Sequence, residues 1–295
     1  MKTRELLVKL LASSVLVCAV QSGRSQGTLF IPERFGVIDI TPTNLATEWQ
    51  QNSEPSLALG LNTKYGKSVV HTFTLGHAAN DYYTSHNRMG PEWTSPGSIT
   101  AFDATLDWSA AGTCYLAIIP MIGQIKVLSS PDPAISPFSE IAAATITRGT
   151  PPNTPDQPWI RVVTVTNTDH IFVGFNDFSV FPGRTAKVRY SLDNGTTWNE
   201  TVIEKVTSGS ADGPPVRLAI SSDGRTVYAL FQRITGATPS GSDIQGEVVL
   251  TRDDAYGGGD FGALGVSGAG TKVATGIVLP ANPGTSLGAQ RLGSD

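Results

Sequence analysis

The stretch that decides the fold is residues 191–198, which read Ser-Leu-Asp-Asn-Gly-Thr-Thr-Trp. Its pattern, S-x-D-x-G-x-x-W, is typical of a hairpin turn that opens on Ser191. The carboxylate of Asp193 can accept hydrogen bonds from the amides of the turn, Gly195 can adopt a positive φ, and Trp198 can pack beneath. We therefore predict that these four residues hold a turn between two strands.

Imperfect copies of this motif occur on both sides of it. Residues 85–93 contain the motif with one extra residue and end on a tryptophan. Residues 251–253 (Thr-Arg-Asp) lead through a glycine-rich turn to Phe261, which aligns them with Ser-Leu-Asp of the full motif. The weakest copy is residues 130–132 (Ser-Pro-Asp), followed by Phe138. Four copies in one chain indicate an internal repeat.

A second feature repeats with the motif: a strand that begins near an acidic residue, then a turn, then an apolar run. The acids are spaced by 49, 53 and 56 residues and are Glu54, Asp103, Asp156 and Asp212. The apolar runs are residues 69–73, 114–118, 171–175 and 227–231. A repeat of about 50 residues that holds several short strands has the size of a four-stranded propeller blade.

The motif resembles the Asp box, or bacterial neuraminidase repeat, of sialidases and their relatives, and the resemblance covers roughly residues 50–265. It implies an all-β fold, a sialidase-like β-propeller of four-stranded antiparallel blades. It also implies that the boxes are structural and lie on the outer rim, so Asp193 is not a catalytic candidate. Such propellers usually have six blades, and residues 290–295 look like the opening of a fifth. We therefore expect a partial propeller of about four blades plus the start of a fifth.

The N-terminal residues have the composition of a secretory signal. Positive charges flank or interrupt an apolar run that continues over residues 10–20, and small residues follow. The run is too short to span a bilayer comfortably, so we predict no membrane span. The protein is expected to be secreted or periplasmic. The predicted domains are a signal peptide over residues 1–25, a lead-in strand region over 26–49 and a partial propeller over 50–295.

Composition argues against several classes of function. The formal net charge of −4 provides no basic surface for nucleic acid. The four histidines show no metal-ligand spacing, and we predict neither a metal nor a cofactor. Once the signal is removed, Cys114 is the only cysteine left, so no internal disulfide can form. It lies in an apolar strand-like run, which predicts a buried, inert thiol.

The resemblance to propellers implies a ligand site at the axial mouth, near the starts of the innermost strands. Arg161 and Arg217 follow two of the repeated acids in the shared pattern D-x-P-x-x-R. Equal offsets in stacked repeats predict that both side chains lie on the same face of adjacent inner strands and point toward the axis. A pair of guanidinium groups can bind a carboxylate bidentately. The ligand-binding candidates are Arg161, Arg217, Glu54, Asp103, Asp156 and Asp212. The alternative is repeat architecture, in which the acids bond strand-start amides and the arginines pair with the acids.

The resemblance to sialidases implies an arginine cluster for a substrate carboxylate, an Asp acid and a Tyr–Glu nucleophile pair. The family's F-R-I-P motif is incomplete, since residues 30–32 read Phe-Ile-Pro and the nearest arginine is Arg34. The blades expected to hold the Tyr–Glu pair would lie beyond Asp295, so the catalytic residues stay unassigned. Three functions remain open: a non-catalytic propeller that engages a glycan or glycoprotein, an exo-sialidase-type glycoside hydrolase, and a structural propeller used in assembly or adhesion.

Overall fold

The computed structural model describes residues 53–62, 67–75, 81–85, 94–99, 101, 103–121, 123–132, 136–150, 154–180, 185–205, 216–237, 243–261 and 270–280. The chain divides into two units, Met1–Asp39 and Ile40–Asp295, and every described residue belongs to the second. The predicted signal peptide and lead-in strand, most of the motif copy at 85–93 and the candidate Asp212 lie outside the described residues.

The described residues form four antiparallel sheets, in each of which consecutive strands are neighbours. Sheet 1 consists of β1 (Ser53–Asn62), β2 (Lys67–Leu75), β3 (Asp81–Ser85) and β4 (Thr94–Ser98). Sheet 2 consists of β5 (Ala104–Trp108), β6 (Cys114–Met121), β7 (Gln124–Ser130) and β8 (Ser139–Glu140), with the short β9 (Ile146–Thr147) also paired to β7.

Sheet 3 consists of β10 (Pro155–Val165), β11 (Thr168–Asp177), β12 (Thr185–Ser191) and β13 (Asn199–Lys205). Sheet 4 consists of β14 (Arg217–Ile220), β15 (Val227–Ala237), β16 (Asp243–Asp253) and β17 (Thr271–Pro280). A single 3-10 turn, Ala142–Ala144, is the only helical element among the described residues. The four repeats predicted from the sequence therefore correspond to four antiparallel sheets.

The turn between β10 and β11 shows how local sequence sets these hairpins. Val165 pairs with Thr168, which leaves a two-residue loop of Thr166 and Asn167. Both loop residues have positive φ, 47° and 65°. Two central residues with positive φ define the type I′ turn, whose twist matches that of the flanking strands. Thr166 and Asn167 thus form a tight hairpin turn between β10 and β11.

The sheets pack face to face, with one apolar layer between each neighbouring pair. Side chains of sheets 1 and 2 share a layer that includes Ala58 and Leu106, and Cys114 is fully buried in it. The predicted burial of Cys114 is confirmed, and this burial raises the pKa of its thiol well above the ordinary value. The layer between sheets 2 and 3 includes Ile160 and Ile171. The layer between sheets 3 and 4 includes Phe172, Val188, Leu218 and Val249.

The first strands of successive sheets are neighbours: β1 contacts β5, β5 contacts β10, and β10 contacts β14. Gly174 on β11 shows how closely sheets 3 and 4 approach. A Cβ at this position would lie 3.0 Å from the Leu218 side chain and 3.1 Å from that of Val216. The first strands of the sheets thus lie side by side, and they carry four of the six candidate ligand residues: Glu54, Asp156, Arg161 and Arg217.

The free edge of β10 is hydrogen-bonded by side chains of the preceding sheet. Thr105 on β5 accepts a hydrogen bond at its Oγ1 from the Ile160 amide (2.9 Å) and donates one to the Pro158 carbonyl (3.1 Å). Asp107 on the same strand accepts a hydrogen bond from the Val162 amide at 2.9 Å. Because an unpaired strand edge would leave these groups without partners, the two side chains join sheet 2 to sheet 3.

Candidate functional site

The turn at residues 191–198 has the predicted structure. Asp193 accepts hydrogen bonds at Oδ1 from the Thr197 amide (2.8 Å) and at Oδ2 from the Thr197 hydroxyl (2.6 Å). Ser191 Oγ donates to Asp193 and accepts from the Gly195 amide, and Gly195 has a φ of 83°. The Thr197 hydroxyl and amide, together with Ser191, lower the pKa of Asp193 to about 2. Trp198 is partly buried and donates to the Gly195 carbonyl at 2.9 Å.

This turn joins β12 to β13, the third and fourth strands of sheet 3, so it is separated from the first strand by the rest of the sheet. Its tip packs on sheet 2, because a Cβ on Gly195 would lie 3.2 Å from the Ile141 side chain. The Asp193 carboxylate is committed to the turn itself. Both its oxygens are hydrogen-bonded within residues 191–198.

The corresponding turn of sheet 4 corrects the sequence alignment by two residues. Asp253 accepts hydrogen bonds from the amides of Ala255 (2.9 Å) and Gly257 (2.7 Å), two and four residues later. Ser191 accepts from Asp193 and Gly195 at the same offsets. Asp253 therefore matches Ser191, and the alignment of residues 251–253 with Ser-Leu-Asp was wrong. The copy in sheet 2 was aligned correctly: Asp132 donates its amide to Ser130 Oγ at 3.2 Å.

The two candidate arginines meet at a tryptophan. The guanidinium carbon of Arg161 on β10 lies 4.9 Å from the centre of the Trp159 ring, and that of Arg217 on β14 lies 4.3 Å from it. Arginine over an aromatic ring is held by the attraction between a cation and the π face. All three side chains are half-buried, and we call them the arginine–tryptophan cluster.

The two arginines occupy different positions on their strands, although D-x-P-x-x-R predicted equal ones. On β10, Arg161 pairs with Phe172 and Trp159 pairs with Gly174. On β14, Arg217 pairs with Leu230, which has the same place on β15 that Gly174 has on β11. Arg217 thus matches Trp159, two residues nearer the strand start. Strand β10 also has a register shift between Asp156 and Trp159, where Gln157 has a φ of 55°. The equal offset in sequence is therefore not an equal offset in structure, yet both side chains reach Trp159.

The partner of Arg161 is an acid that the sequence interpretation did not select. Arg161 Nη1 lies 3.7 Å from Asp107 Oδ2, and the side chains are 36% and 21% exposed. Asp107 also accepts hydrogen bonds from the amides of Trp108 and Val162, both at 2.9 Å. Burial raises the pKa of Asp107 above its ordinary value, although these amides and Arg161 oppose the effect.

The candidate acids have different surroundings in the described part of the chain. Asp156 is half-buried on β10 and accepts a hydrogen bond from the Gln157 amide at 2.9 Å, which fits the alternative that the acids bond strand-start amides. Asp103 precedes β5 and accepts the Ile119 amide through its backbone carbonyl at 3.0 Å. Glu54 lies on β1, and Asp212 is outside the described residues.

Sequence reasoning missed Trp159 and Asp107. Trp159 stands inside the motif D-x-P-x-x-R, two residues before Arg161, and residues two apart on a strand share a face. That signal was available in the sequence. Asp107 comes from the preceding repeat, 54 positions before Arg161, and no local pattern links the two.

A second charged cluster lies between sheets 2 and 3. Asp177, which is fully buried, pairs with Arg148 and Lys187, both at 2.8 Å. Glu200 pairs with Lys187 at 3.0 Å and binds Arg148 through both carboxylate oxygens. Every charge in this cluster has an opposite partner, so it joins two sheets and offers no open group to a ligand.

The described residues contain no group of three His, Cys, Asp or Glu side chains able to hold a metal ion. In that same part of the chain, no helix has the length and apolar character needed to cross a membrane.

Two similar solved structures are α-L-arabinofuranosidases of glycoside hydrolase family GH93 from Fusarium graminearum. The complex with arabinobiose is 12% identical, covers 82% of this chain and 72% of that chain, and has a TM-score of 0.52. A mutant bound to an iminosugar inhibitor is 12% identical, covers 76% and 68%, and has a TM-score of 0.53. These neighbours are β-propeller glycosidases, so the likeness shows the fold of this chain. No family model matches the chain, and no curated protein matches it in sequence.

Proposed function

We propose that this chain is an exported, sialidase-like β-propeller that binds a carboxylate-bearing glycan at the arginine–tryptophan cluster and does not hydrolyse it. The observation that carries the proposal is the convergence of Arg161 and Arg217 on Trp159, at 4.9 and 4.3 Å from the ring centre. Two guanidinium groups supply the paired donors that a carboxylate accepts. The aromatic ring supplies an apolar surface beside them.

The position of the cluster also supports binding. In sheet 2, the side chains of Thr105 and Asp107 hydrogen-bond the free edge of the next strand. The matching positions in sheet 3 are Trp159 and Arg161. Thr105 pairs with Ala117 and Trp159 pairs with Gly174, and these two partners have the same place on the second strands of their sheets. At the position where sheet 2 has the anionic Asp107, sheet 3 therefore has the cationic Arg161. Because arginine has hydrogen-bond donors and no acceptor, this position in sheet 3 is suited to an anionic group.

The fold supports a carbohydrate ligand, because the propellers that it resembles act on sugars. The ligands in those two structures are arabinobiose and an iminosugar inhibitor, bound to α-L-arabinofuranosidases. A protein of this fold with two arginines at the inner strands is suited to a sugar that also carries an acid group. Secretion is part of the proposal and rests on the composition of the N-terminal residues.

Hydrolysis is the second candidate function, and one observation favours it. Asp107 is a partly exposed carboxyl group whose pKa is raised by burial, which is the property that a general acid needs. Both its oxygens accept backbone amides, however, which leaves the carboxyl group engaged in the fold. We therefore place binding first.

The test compares acidic sugars with related neutral sugars. Methyl glucuronide and methyl glucoside, and sialyllactose and lactose, would be titrated into the protein and followed by NMR. We expect binding of the acidic member of at least one pair, with an affinity that falls as salt is added. The single variants Arg161→Gln and Arg217→Gln should each weaken that binding by about tenfold, since each removes one charge-assisted pair.

Arg252→Gln is the matched control, because it removes the same charge from β16, where Arg252 pairs with Asp254 at 3.1 Å. It should leave binding unchanged. Equal binding of acidic and neutral sugars, or equal loss in all three variants, would contradict the proposed site. Turnover of an aryl arabinofuranoside or an aryl sialoside that is lost in Asp107→Asn would instead support the hydrolase.

A further inference from the structure

Asp107 is fixed by the backbone and not by Arg161. Its two carboxylate oxygens accept the amides of Trp108 and Val162 at 2.9 Å each, while the nearest guanidinium nitrogen of Arg161 is 3.7 Å away. A charge-assisted hydrogen bond would measure about 2.7–2.9 Å. The carboxylate therefore stays in place whether or not Arg161 is engaged by something else.

Arg161 is held from the other side by an aromatic ring. Its guanidinium carbon lies 4.9 Å from the centre of the Trp159 ring, and its side chain is 36% exposed. A half-buried guanidinium whose ion pair is as long as 3.7 Å keeps hydrogen-bond donors available for an incoming group. A negative charge fixed 3.7 Å away nevertheless lowers the attraction between that guanidinium and any second anion.

We propose that Asp107 is a built-in counter-ion of the ligand site and determines how strongly the site prefers an acidic sugar over a neutral one. This inference rests on the proposed function. A ligand carboxylate that reaches Arg161 meets the repulsion of a carboxylate that cannot turn away. Affinity for the acidic ligand is therefore held below what two arginines would give, and affinity for a neutral sugar is not affected.

The charge of Asp107 can be removed with little change in shape. Asp107→Asn keeps a side-chain oxygen that can accept the Val162 amide. We expect this variant to bind methyl glucuronide about two- to fivefold more tightly than wild type, the range of a partly exposed ion pair. Its affinity for methyl glucoside should not change. In the Arg161→Gln background the gain from Asp107→Asn should disappear, because the two residues act on the same contact.

Each outcome decides one of the two claims. If wild type binds methyl glucuronide and Arg161→Gln weakens it, but Asp107→Asn binds equally or less tightly, the counter-ion role is refuted and the proposed function stands. An equal gain for both sugars would show a merely structural effect and also refute the role. If neither wild type nor Asp107→Asn bound methyl glucuronide or sialyllactose, both claims would be overturned. Should Asp107→Asn not fold, Asp107→Ser, whose neutral hydroxyl can also accept the Val162 amide, replaces it.

Discussion

Asp253 on β16 has the same place in sheet 4 that Ser191 has in sheet 3. Asp253 pairs with Val227, the first residue of the second strand of sheet 4. Ser191 pairs with Ile171, which lies on the second strand of sheet 3. The φ angles of the turn residues agree, 57° and 83° after Ser191 and 59° and 82° after Asp253. One backbone turn is thus built around a hydroxyl in one sheet and around a carboxylate in the next.

This equivalence predicts an unequal pair of substitutions. Asp253→Ala leaves the amides of Ala255 and Gly257 without their acceptor at a site only 2% exposed, and we expect a loss of about 2–3 kcal/mol in the free energy of unfolding. Asp253→Ser restores an acceptor and should lose less than half as much. Urea denaturation measures both, and equal losses would contradict the equivalence.

The edge contact between sheets 2 and 3 predicts a penalty for an apolar isostere. Thr105→Val removes the oxygen that accepts the Ile160 amide at 2.9 Å and donates to the Pro158 carbonyl at 3.1 Å. We expect the free energy of unfolding of this variant to be about 1–3 kcal/mol lower than that of wild type, because two polar backbone groups lose their hydrogen-bond partner. Thr105→Ser, which keeps the hydroxyl, is the control and should lose about 1 kcal/mol or less. Faster hydrogen exchange at Ile160 in the valine variant alone would locate the effect.

The buried Asp177 predicts how stability depends on pH. Burial raises its pKa, but hydrogen bonds from Lys187, Ser179 and Arg148 outweigh burial and leave the pKa below its ordinary value. An acid with a lowered folded pKa contributes stability above its unfolded pKa, near 4, and loses it as pH falls through the folded value. Asp177→Asn should therefore be about 3 kcal/mol less stable at pH 7, and the difference should shrink below about pH 4.

Asp107→Asn is the opposite-sign control for this experiment. Burial raises the pKa of Asp107, so the wild-type residue costs stability as pH rises through the interval above its unfolded pKa. Asp107→Asn removes this cost. The free energy of unfolding of the variant, relative to that of wild type, should therefore be higher at neutral pH than at acid pH. Melting temperatures measured from pH 2 to pH 7 would show the two trends, and a parallel response of both variants would refute the assignment.

Trp159 predicts a joint loss of stability and binding. Trp159→Ala removes the ring that both arginines contact and a side chain packed between sheets 3 and 4, so we expect a loss of about 3 kcal/mol or more. Trp159→Phe keeps an aromatic face and should retain most of the stability and part of the binding. If Trp159→Phe bound an acidic sugar no better than Trp159→Ala, the prediction that an aromatic face at this position supports binding would be refuted.

The protein is not expected to release sialic acid from an aryl sialoside. Sialidase chemistry needs an anchored carboxylate, an acid and an activated tyrosine on one rigid surface, whereas binding alone gives no acceleration. Residues 30–32 lack the arginine of the family motif. Release at a rate above that of the Arg161→Gln, Arg217→Gln double variant would place hydrolysis first.

The sequence predicted the strands well because turns and apolar runs are local. The runs at residues 114–118 and 171–175 lie in β6 and β11, and the hydrogen bonds of Asp193 follow its motif. It did not predict the register of Arg217, because the pairing of a first strand with the second strand of its sheet is not encoded in the local pattern D-x-P-x-x-R. It also missed Asp107, because a contact between neighbouring sheets depends on packing and leaves no local pattern.

The side-chain caps on the edge of β10 also give the chain a direction. Thr105 and Asp107 come from β5, which precedes β10 in the sequence. During synthesis from the N-terminus, β5 therefore leaves the ribosome first, and β10 meets its capping groups as it emerges. The exposed strand edge, through which nascent β proteins pair with the wrong molecule, is thereby closed by the protein's own earlier residues.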